Sequence, residues 1–368
     1  MLPTLSDAFQ IKFIARELIA ARGRGAVGLI LNAMGIVMKK LVLLATALAM
    51  TSGSALAADM PLKAANAPAP AAFDPWDIAF GAAVMNDYIF RGITQSNHMP
   101  SVTAYFEPRY NVNKDLQLYI GTSAESISFA NRAAAEVDVY GGIRPTFGAA
   151  AFDFGIWGYL YPGGSCADNV LTGGVPGGGV CPVSTTTIFL ADGNVMKRDV
   201  SFFEGYAKLN YTFNDNWQAG VNEYYTPNFL NSGAWGNYAS VTAKYTAPAT
   251  IFGSTGIGMY ASGEFGRQWL GTSDAFYAVP AFPNGIPYAS YDTWNIGIGF
   301  TYKVFTLDLR YSDTDLNKGD CNAFTSAFNA TGTTNVTPIN PSGVGSNWCG
   351  AAGIAKLSVD MTAMTNLK

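Results

Sequence analysis

The feature that most constrains this chain is a strict two-residue period, sustained over segments longer than a soluble sheet usually supplies. In "DVSFFEGYAKLNYTF", over 199–213, Phe203, Gly205, Ala207, Leu209, Tyr211 and Phe213 share one face, while Phe202, Glu204, Tyr206, Lys208, Asn210 and Thr212 share the other. Trp294, Ile296, Ile298, Phe300 and Tyr302 alternate with Asn295, Gly297, Gly299, Thr301 and Lys303. Phe305, Leu307, Leu309 and Tyr311 alternate with Thr306, Asp308, Arg310 and Ser312. A helix returns its apolar residues every three or four positions and cannot hold this segregation.

Such segments lie near 76–88, 101–112, 115–128, 135–147, 150–161, 199–213, 216–226, 235–246, 255–268, 290–303, 304–313 and 353–361. Strands of about nine to fifteen residues cross a bilayer when tilted, whereas strands of soluble sheets run about five or six. The pattern predicts an all-β chain: a membrane-spanning antiparallel β-barrel of about 12 strands. An even count lets first and last strands pair and close the edge that lipid would not tolerate.

The connections alternate in length. "NK" near Lys114, "GAA" near Ala149, "NDN" at 214–216 and "KVF" near Val304 are short, and the one around Pro248 is modestly longer. The others include 162–198, 269–289 and 314–352. Short periplasmic turns and long extracellular loops are the outer-membrane arrangement. At the short-turn ends, Trp76, Tyr110, Phe147, Phe213, Trp217, Tyr245, Tyr302 and Phe305 all fall by parity on the lipid side, as an interfacial aromatic girdle requires. A soluble β-sandwich explains the alternation but neither the loop asymmetry nor the girdle. Glu223 sits on the apolar parity of its strand, which a bulge or a place at the outer rim would explain.

The N-terminal region fits export. "MKKLVLLATALAMTSGSALAAD", from Met38, has two lysines, an apolar run and small residues at Ala55 and Ala57, the order of a cleavable signal peptide over 38–57. Cleavage is expected between Ala57 and Ala58. Residues 1–37 read as an upstream extension from a start assigned too early, with Met34 and Met38 as alternatives. The Ala- and Pro-rich stretch 58–75 reads as a periplasmic leader, and 76–368 as the barrel. No apolar run after Met50 is long enough for a spanning helix. The predicted location is the cell outer membrane, with outer-membrane lipid and the barrel-assembly machinery as partners. The end, "MTAMTNLK", lacks the terminal aromatic residue that such barrels usually present for assembly.

Beyond residue 57 the chain carries 16 Lys and Arg against 24 Asp and Glu. That acidic balance excludes a nucleic-acid partner, which needs clustered cations for phosphate. Parity turns Glu107, Glu125, Glu136, Asp138, Asp153, Glu204, Glu264, Asp308 and Asp360 inward, together with Arg109, Arg144, Lys208, Lys244, Arg310 and Lys356. Nine acids against six bases predict a pore-lining set with weak cation preference and passive diffusion of small hydrophilic solutes or ions. The alternative is a narrow barrel plugged by its own ion pairs, with a structural or surface-interaction role.

Cys166, Cys181, Cys321 and Cys349 fall in two of the long loops, and within-loop disulfides, Cys166 with Cys181 and Cys321 with Cys349, are the expected pairing in an oxidising compartment. None forms a C-x-x-C pair, so no metal or redox site is predicted. No phosphate loop or nucleotide fingerprint is visible, and no cofactor is expected. His98, the chain's only histidine, lies near Ser96 in the first long loop. That leaves an outer-membrane lipid hydrolase as a minor alternative, although two residues on one loop do not make a nucleophile–base pair. The expectation is a protein that is not an enzyme. A homo-oligomer stays open.

The stretch "NDYIFRGITQS", over 86–96, resembles the signature of the TorF-type porin family of Gram-negative bacteria, with matches at Asn86, Asp87, Tyr88, Phe90, Arg91, Gly92, Thr94, Gln95 and Ser96. Glu136, Asp138, Tyr140 and Gly142 resemble the family's "E-x-D-x-Y-x-G" strand. Gly158, Tyr161, Pro162 and Gly163 resemble a strand end, at slightly shifted spacing, and "FFEGYAKLNY" a later strand. The similarity covers most of 76–313 and implies an outer-membrane barrel with pore activity, without naming a solute. The Cys-bearing loops, the C-terminal end and the upstream 37 residues depart from it. Parity places Tyr88 and Phe90 with Val84 on the lipid side, and Asp87, Ile89 and Arg91 opposite. Arg91 is expected to turn inward at the outer mouth and pair with a lumenal carboxylate, with Gly92 allowing the bend.

Overall fold

In the computed structural model, residues 75–169, 181, 188–190 and 195–367 are described. The upstream extension, the signal peptide with its cleavage site and nearly all of the leader lie outside them. Twelve long strands form one closed antiparallel barrel: β1 (Trp76–Met85), β2 (Ser101–Asn113), β3 (Leu116–Glu125), β4 (Glu136–Phe147), β5 (Ala150–Leu160), β6 (Phe202–Thr212), β7 (Trp217–Thr226), β8 (Gly236–Thr246), β9 (Ile257–Leu270), β10 (Tyr291–Tyr302), β11 (Phe305–Thr314) and β12 (Ala352–Thr362). Each pairs with its neighbours in sequence, and β1 closes on β12 from Ala79 opposite Thr362 to Met85 opposite Lys356. A chain of this composition folds so because every backbone N–H and C=O in lipid must find a partner, and only a ring leaves no edge.

The outer wall is apolar. Ile120, Ile156, Val241, Phe265, Ile296 and Leu357 are exposed there, a continuous surface suited to lipid. The girdle expected from parity stands at the short-turn end, where Trp76 packs edge-on against Tyr110 at 4.9 Å and Trp217 tilts over Tyr245 at 4.4 Å. Glu223 also faces out. The pairing of β7 with β6 and β8 runs without a register shift, so no bulge resets its face. It lies near the long-loop end and accepts a hydrogen bond from Asn237.

Inside, tyrosines lie over glycines. Gly81 faces Tyr105, Gly121 faces Tyr140, Gly155 faces Tyr206 and Gly299 faces Tyr260 as direct cross-strand partners. A Cβ on any of these glycines would fall within 2.6 Å of the opposing ring. The glycine and tyrosine richness of the sequence is therefore a space-filling device: a flat phenol covers the bare backbone of the next strand.

The largest departure from expectation is at the end of β1. The strand stops at Met85, and the next residues fold back into the barrel mouth as a two-residue ladder, Ile89–Phe90 against Ile93–Thr94. Tyr88 and Phe90 consequently line the lumen rather than facing lipid. Strand parity does not extend past the residue where the chain turns, and Arg91 and Gly92, with φ of 48° and 78°, make that turn. A Cβ at Gly92 would lie 2.5 Å from Thr293 Oγ1, so the position needs glycine twice over.

The long loops then build a hydrophobic core of their own over the barrel mouth, including Ile93, Phe129, Phe202, Phe229, Tyr291 and Trp348. Helix α1 (Lys318–Thr325) carries Cys321, bonded to Cys349, and Cys166 is bonded to Cys181. A short helix, α2 (Ala363–Asn366), follows β12, and the Met364 amide donates to Asp77 Oδ1 at 2.9 Å.

Gly299→Ala is expected to cost about 1–3 kcal/mol of stability, because its Cβ would meet the Tyr260 ring at 2.1 Å. Urea unfolding of the lipid-reconstituted barrel would show this, and Gly299→Ala/Tyr260→Phe should not relieve it, since the ring carbons remain.

Candidate functional site

The signature stretch works as one unit. Asn86 ties the end of β1 to β12, its amide donating to the Gly353 carbonyl at 2.9 Å and its oxygen accepting from the Ala355 amide at 2.6 Å. Asp87, buried, accepts from Thr94 Oγ1 at 2.5 Å and Ser96 Oγ at 3.1 Å, and faces His98 Nδ1 at 2.7 Å. The Ser96 hydroxyl accepts from the Tyr88 amide at 3.0 Å, and the Gln95 amide donates to the Tyr88 carbonyl at 2.7 Å. These short polar side chains fasten a tight inward fold that two residues of ladder alone would not hold.

The fold delivers Arg91 into the lumen. Its guanidinium makes a two-pronged ion pair with Glu204 of β6, at 2.9 and 2.7 Å, and donates to Gln268 Oε1 of β9 at 3.0 Å. It lies over the rings of Phe90, Tyr224 and Tyr238 at 4.5–4.9 Å. Arg91 is 5% exposed and Glu204 fully buried. Burial alone would lower the Arg91 pKa, but the Glu204 charge and hydrogen bonds outweigh it and hold the guanidinium above its ordinary value. One side chain thus joins the first long loop to two strands of the barrel wall, β6 and β9.

The other inward charges fall into networks. Glu107 receives Arg109 at 2.6 Å and Arg144 at 2.8 Å, and Arg144 also reaches Asp153 at 3.2 Å. Tyr119 donates to Asp153 at 2.5 Å. Arg310 pairs with Asp308 at 3.0 Å and donates to Asn295 and Ser262, while Tyr260 donates to Asp308 at 2.6 Å. Lys244 sits over the Tyr260 ring and Lys208 over Tyr206. Glu264 accepts from Tyr238 at 3.0 Å, and Asp360 from Tyr105 at 3.1 Å and Ser358 at 3.0 Å. Lys356, Lys208 and Asp360 line a cavity of about 390 Å³ beneath Tyr88 and Phe90. Among the charges that parity turns inward, Glu107, Arg109, Arg144, Asp153, Glu204, Asp308 and Arg310 are joined in ion pairs.

Glu125, Glu136 and Asp138 form a third group, at the long-loop ends of β3 and β4. Glu136 accepts from the hydroxyls of Tyr88 at 2.6 Å and Tyr161 at 2.8 Å. Burial, followed by the nearby carboxylate charges, pushes both phenols well above their ordinary pKa, which keeps them as donors.

Ser96 and His98 do not meet. Both bind Asp87, and the second ring nitrogen of His98 faces the Asn347 carbonyl at 2.9 Å. The imidazole links the first loop to the loop after α1, and Ser96 Oγ donates to Asp87 rather than to the imidazole. That second loop straps the first: the Thr94 amide donates to the Trp348 carbonyl at 2.9 Å, Trp348 Nε1 donates to Asn97 at 2.8 Å, and Ile93 bridges Cys349.

Residues 69–173 match the model of Gcw_chp, a bacterial protein of unknown function. The match covers less than a third of the chain and does not name the TorF-type family that the sequence resembles. No curated protein matches. Among solved structures, the chain is similar to an outer membrane channel from Pseudomonas putida F1, at 9% identity and TM-score 0.39, covering 78% of this chain and 95% of that one. It is similar to the NanC porin, at 7% identity and TM-score 0.36, covering 77% and 98%. LpxR from Salmonella typhimurium is similar at 8% identity and TM-score 0.35, covering 77% and 99%. These are likenesses of fold.

Sequence reasoning missed Gln268, Tyr224 and Tyr238 as partners of the Arg91–Glu204 pair, and Tyr159, whose hydroxyl donates to Glu204 at 3.2 Å. Parity puts Tyr238 and Gln268 on the inward side, but neutral residues carry no charge signal to single them out. Arg91→Ala is expected to destabilise the barrel by about 3–5 kcal/mol, because Glu204 is left buried without its partner. Arg91→Leu/Glu204→Leu should recover most of that loss. Denaturant titration of the single and double variants measures both.

Proposed function

We propose that the protein is an outer-membrane β-barrel channel for small hydrophilic solutes or ions, held closed at its outer mouth by the inward-folded residues 86–97. The observation that carries this reading is Arg91, which crosses from that loop to Glu204 and Gln268 on the barrel wall. Below it the barrel contains a cavity whose lining includes Lys208, Lys356 and Asp360 among tyrosines, groups that water and solute can wet. The resemblance to TorF-type porins and the export signal support the same reading. With Arg91 added, inward acids exceed inward bases by nine to seven, which supports a weak cation preference.

A second reading is favoured by the ion-pair networks and by the loop core over the mouth: a barrel plugged permanently, acting through its outer surface. Small barrels are often filled by side chains. Planar-bilayer recording separates the two. Wild-type protein is expected to stay closed most of the time, and Arg91→Ala to raise open probability at least about tenfold, the equivalent of about 1.4 kcal/mol on the gating equilibrium. Reversal potentials in a salt gradient then read the ion preference, and liposome swelling with graded sugars reads the cutoff. Silence of both proteins, each shown to be folded and inserted, would favour the permanent plug.

A further inference from the structure

We propose that Glu125, Glu136 and Asp138 bind a divalent cation of the calcium class at the outer end of the lumen. Their carboxylate oxygens lie within 4.8 Å of one another, and all three side chains are buried. Two oxygens on opposite sides of an ion, each about 2.4 Å from it, are separated by about 4.8 Å, so one ion fits between them without moving a strand.

The hydrogen bonding points to a missing positive partner. Elsewhere in the lumen, Glu107, Asp153, Glu204 and Asp308 are each paired with an arginine. Among the described residues, none of the ion pairs includes Glu125, Glu136 or Asp138. Glu125 and Asp138 each have one oxygen satisfied by a neutral donor, Thr103 Oγ1 to Glu125 at 2.8 Å and Ser123 Oγ to Asp138 at 3.1 Å, while both oxygens of Glu136 accept a tyrosine hydroxyl. Glu125 Oε2 and Asp138 Oδ1, on side chains more than nine-tenths buried, accept no hydrogen bond, and Lys356, which lines the same cavity, acts on Glu125 through its charge without forming an ion pair. The neighbouring Trp157 Nε1 lies toward Asp138 and leaves Glu125 Oε2 without a donor. A buried carboxylate oxygen without a donor is costly, and two of them beside a third buried carboxylate need a cation or protons.

The donor set selects the ion. Three carboxylates and no nitrogen or sulfur suit a hard cation and not zinc. Calcium accepts six to eight oxygens in irregular geometry, whereas magnesium needs a near-ideal octahedron and keeps much of its water. The site has a route of entry, since Glu125 and Asp138 open onto the lumenal cavity. It also has a consequence. Glu136 is the anchor for Tyr88 of the closing loop and Tyr161 of the next long loop, so an ion here stiffens the attachment of both. The site stands whether or not the lumen conducts.

The test uses the full mature chain, purified in detergent, stripped with chelator and shown to be folded by its heat-dependent gel mobility. Terbium, a calcium surrogate, is expected to show luminescence sensitised through Trp157 and the neighbouring tyrosines, and calcium to displace it. Equilibrium dialysis should find one calcium per chain, with a dissociation constant no weaker than about 1 mM, and calcium should raise the melting temperature more than magnesium does. Asp138→Asn and Glu125→Gln should each weaken binding at least about tenfold, which corresponds to about 1.4 kcal/mol. Asp115→Asn, in an exposed short turn, should not. Absence of calcium binding to the folded wild-type chain would overturn the proposal, and would mean that protons neutralise the cluster. Equal binding by Glu125→Gln/Glu136→Gln/Asp138→Asn would overturn it too. The wild-type dialysis decides the matter if those variants fail to fold.

Discussion

The structure depends on one constraint: in a hydrocarbon medium an unpaired backbone group has no water to fall back on, so the sheet must close. Ala79 to Met85 of β1 pair with Lys356 to Thr362 of β12, and that seam turns twelve strands into a ring. Closure then fixes what the side chains do. Those at one parity face lipid and are apolar, as Ile120, Ile156 and Ile296 are. Those at the other parity are enclosed in a narrow space and must satisfy one another. The alternation is the consequence of having two different solvents, one on each face of a single sheet.

The enclosed space is filled by two devices. Tyrosine rings lie on the bare backbone of cross-strand glycines, which brings large planar groups close to the wall without clashes. Their hydroxyls reach carboxylates, as Tyr260 reaches Asp308 and Tyr105 reaches Asp360. Arginines supply the countercharge for Glu107, Asp153, Glu204 and Asp308, and Arg144 is shared between Glu107 and Asp153. An ion pair in such a place contributes less to net stability than its geometry suggests, because both charges were taken out of water. Its stronger effect is to specify which wall each loop docks on. Arg91 is the clearest case, as its fork fits Glu204 and its flanks fit three aromatic rings.

The mouth is organised on a different principle. There the loops form an ordinary hydrophobic core, with Phe129, Phe229 and Trp348 packed over the ladder of the first loop. Long loops carry a large ordering cost. The bridge from Cys321 to Cys349 closes a separation of 28 residues and that from Cys166 to Cys181 one of 15. In the chain-entropy account, loops of such lengths give roughly 3 kcal/mol each. The loop after α1 uses that restraint to strap the first loop through Trp348, Asn347 and Cys349. Glu136 serves both regions, since it belongs to the barrel wall and receives a hydroxyl from each of two loops.

Strand number, their limits to within a few residues, the apolar and lumenal faces, the aromatic girdle and the cysteine loops were legible in the sequence, because each follows from a local period or from composition. Inward placement of Glu107, Arg144 or Arg310 needs only parity from a neighbour on the same strand. Tyr88 and Phe90 show where that reasoning ends: parity holds only while the chain stays extended, and the turn at Arg91 and Gly92 reverses it. The partners of Arg91 were equally hidden, since Glu204 and Gln268 lie 113 and 177 residues away along the chain. So were the gathering of Glu125, Glu136 and Asp138 and the separation of Ser96 from His98. Sequence by itself determined a barrel, because alternation between lipid and lumen is written residue by residue. Tertiary structure alone decided that residues 86–97 fold into the barrel mouth and which acids have no arginine partner, because those depend on loop docking and on distances across the ring that no local pattern encodes.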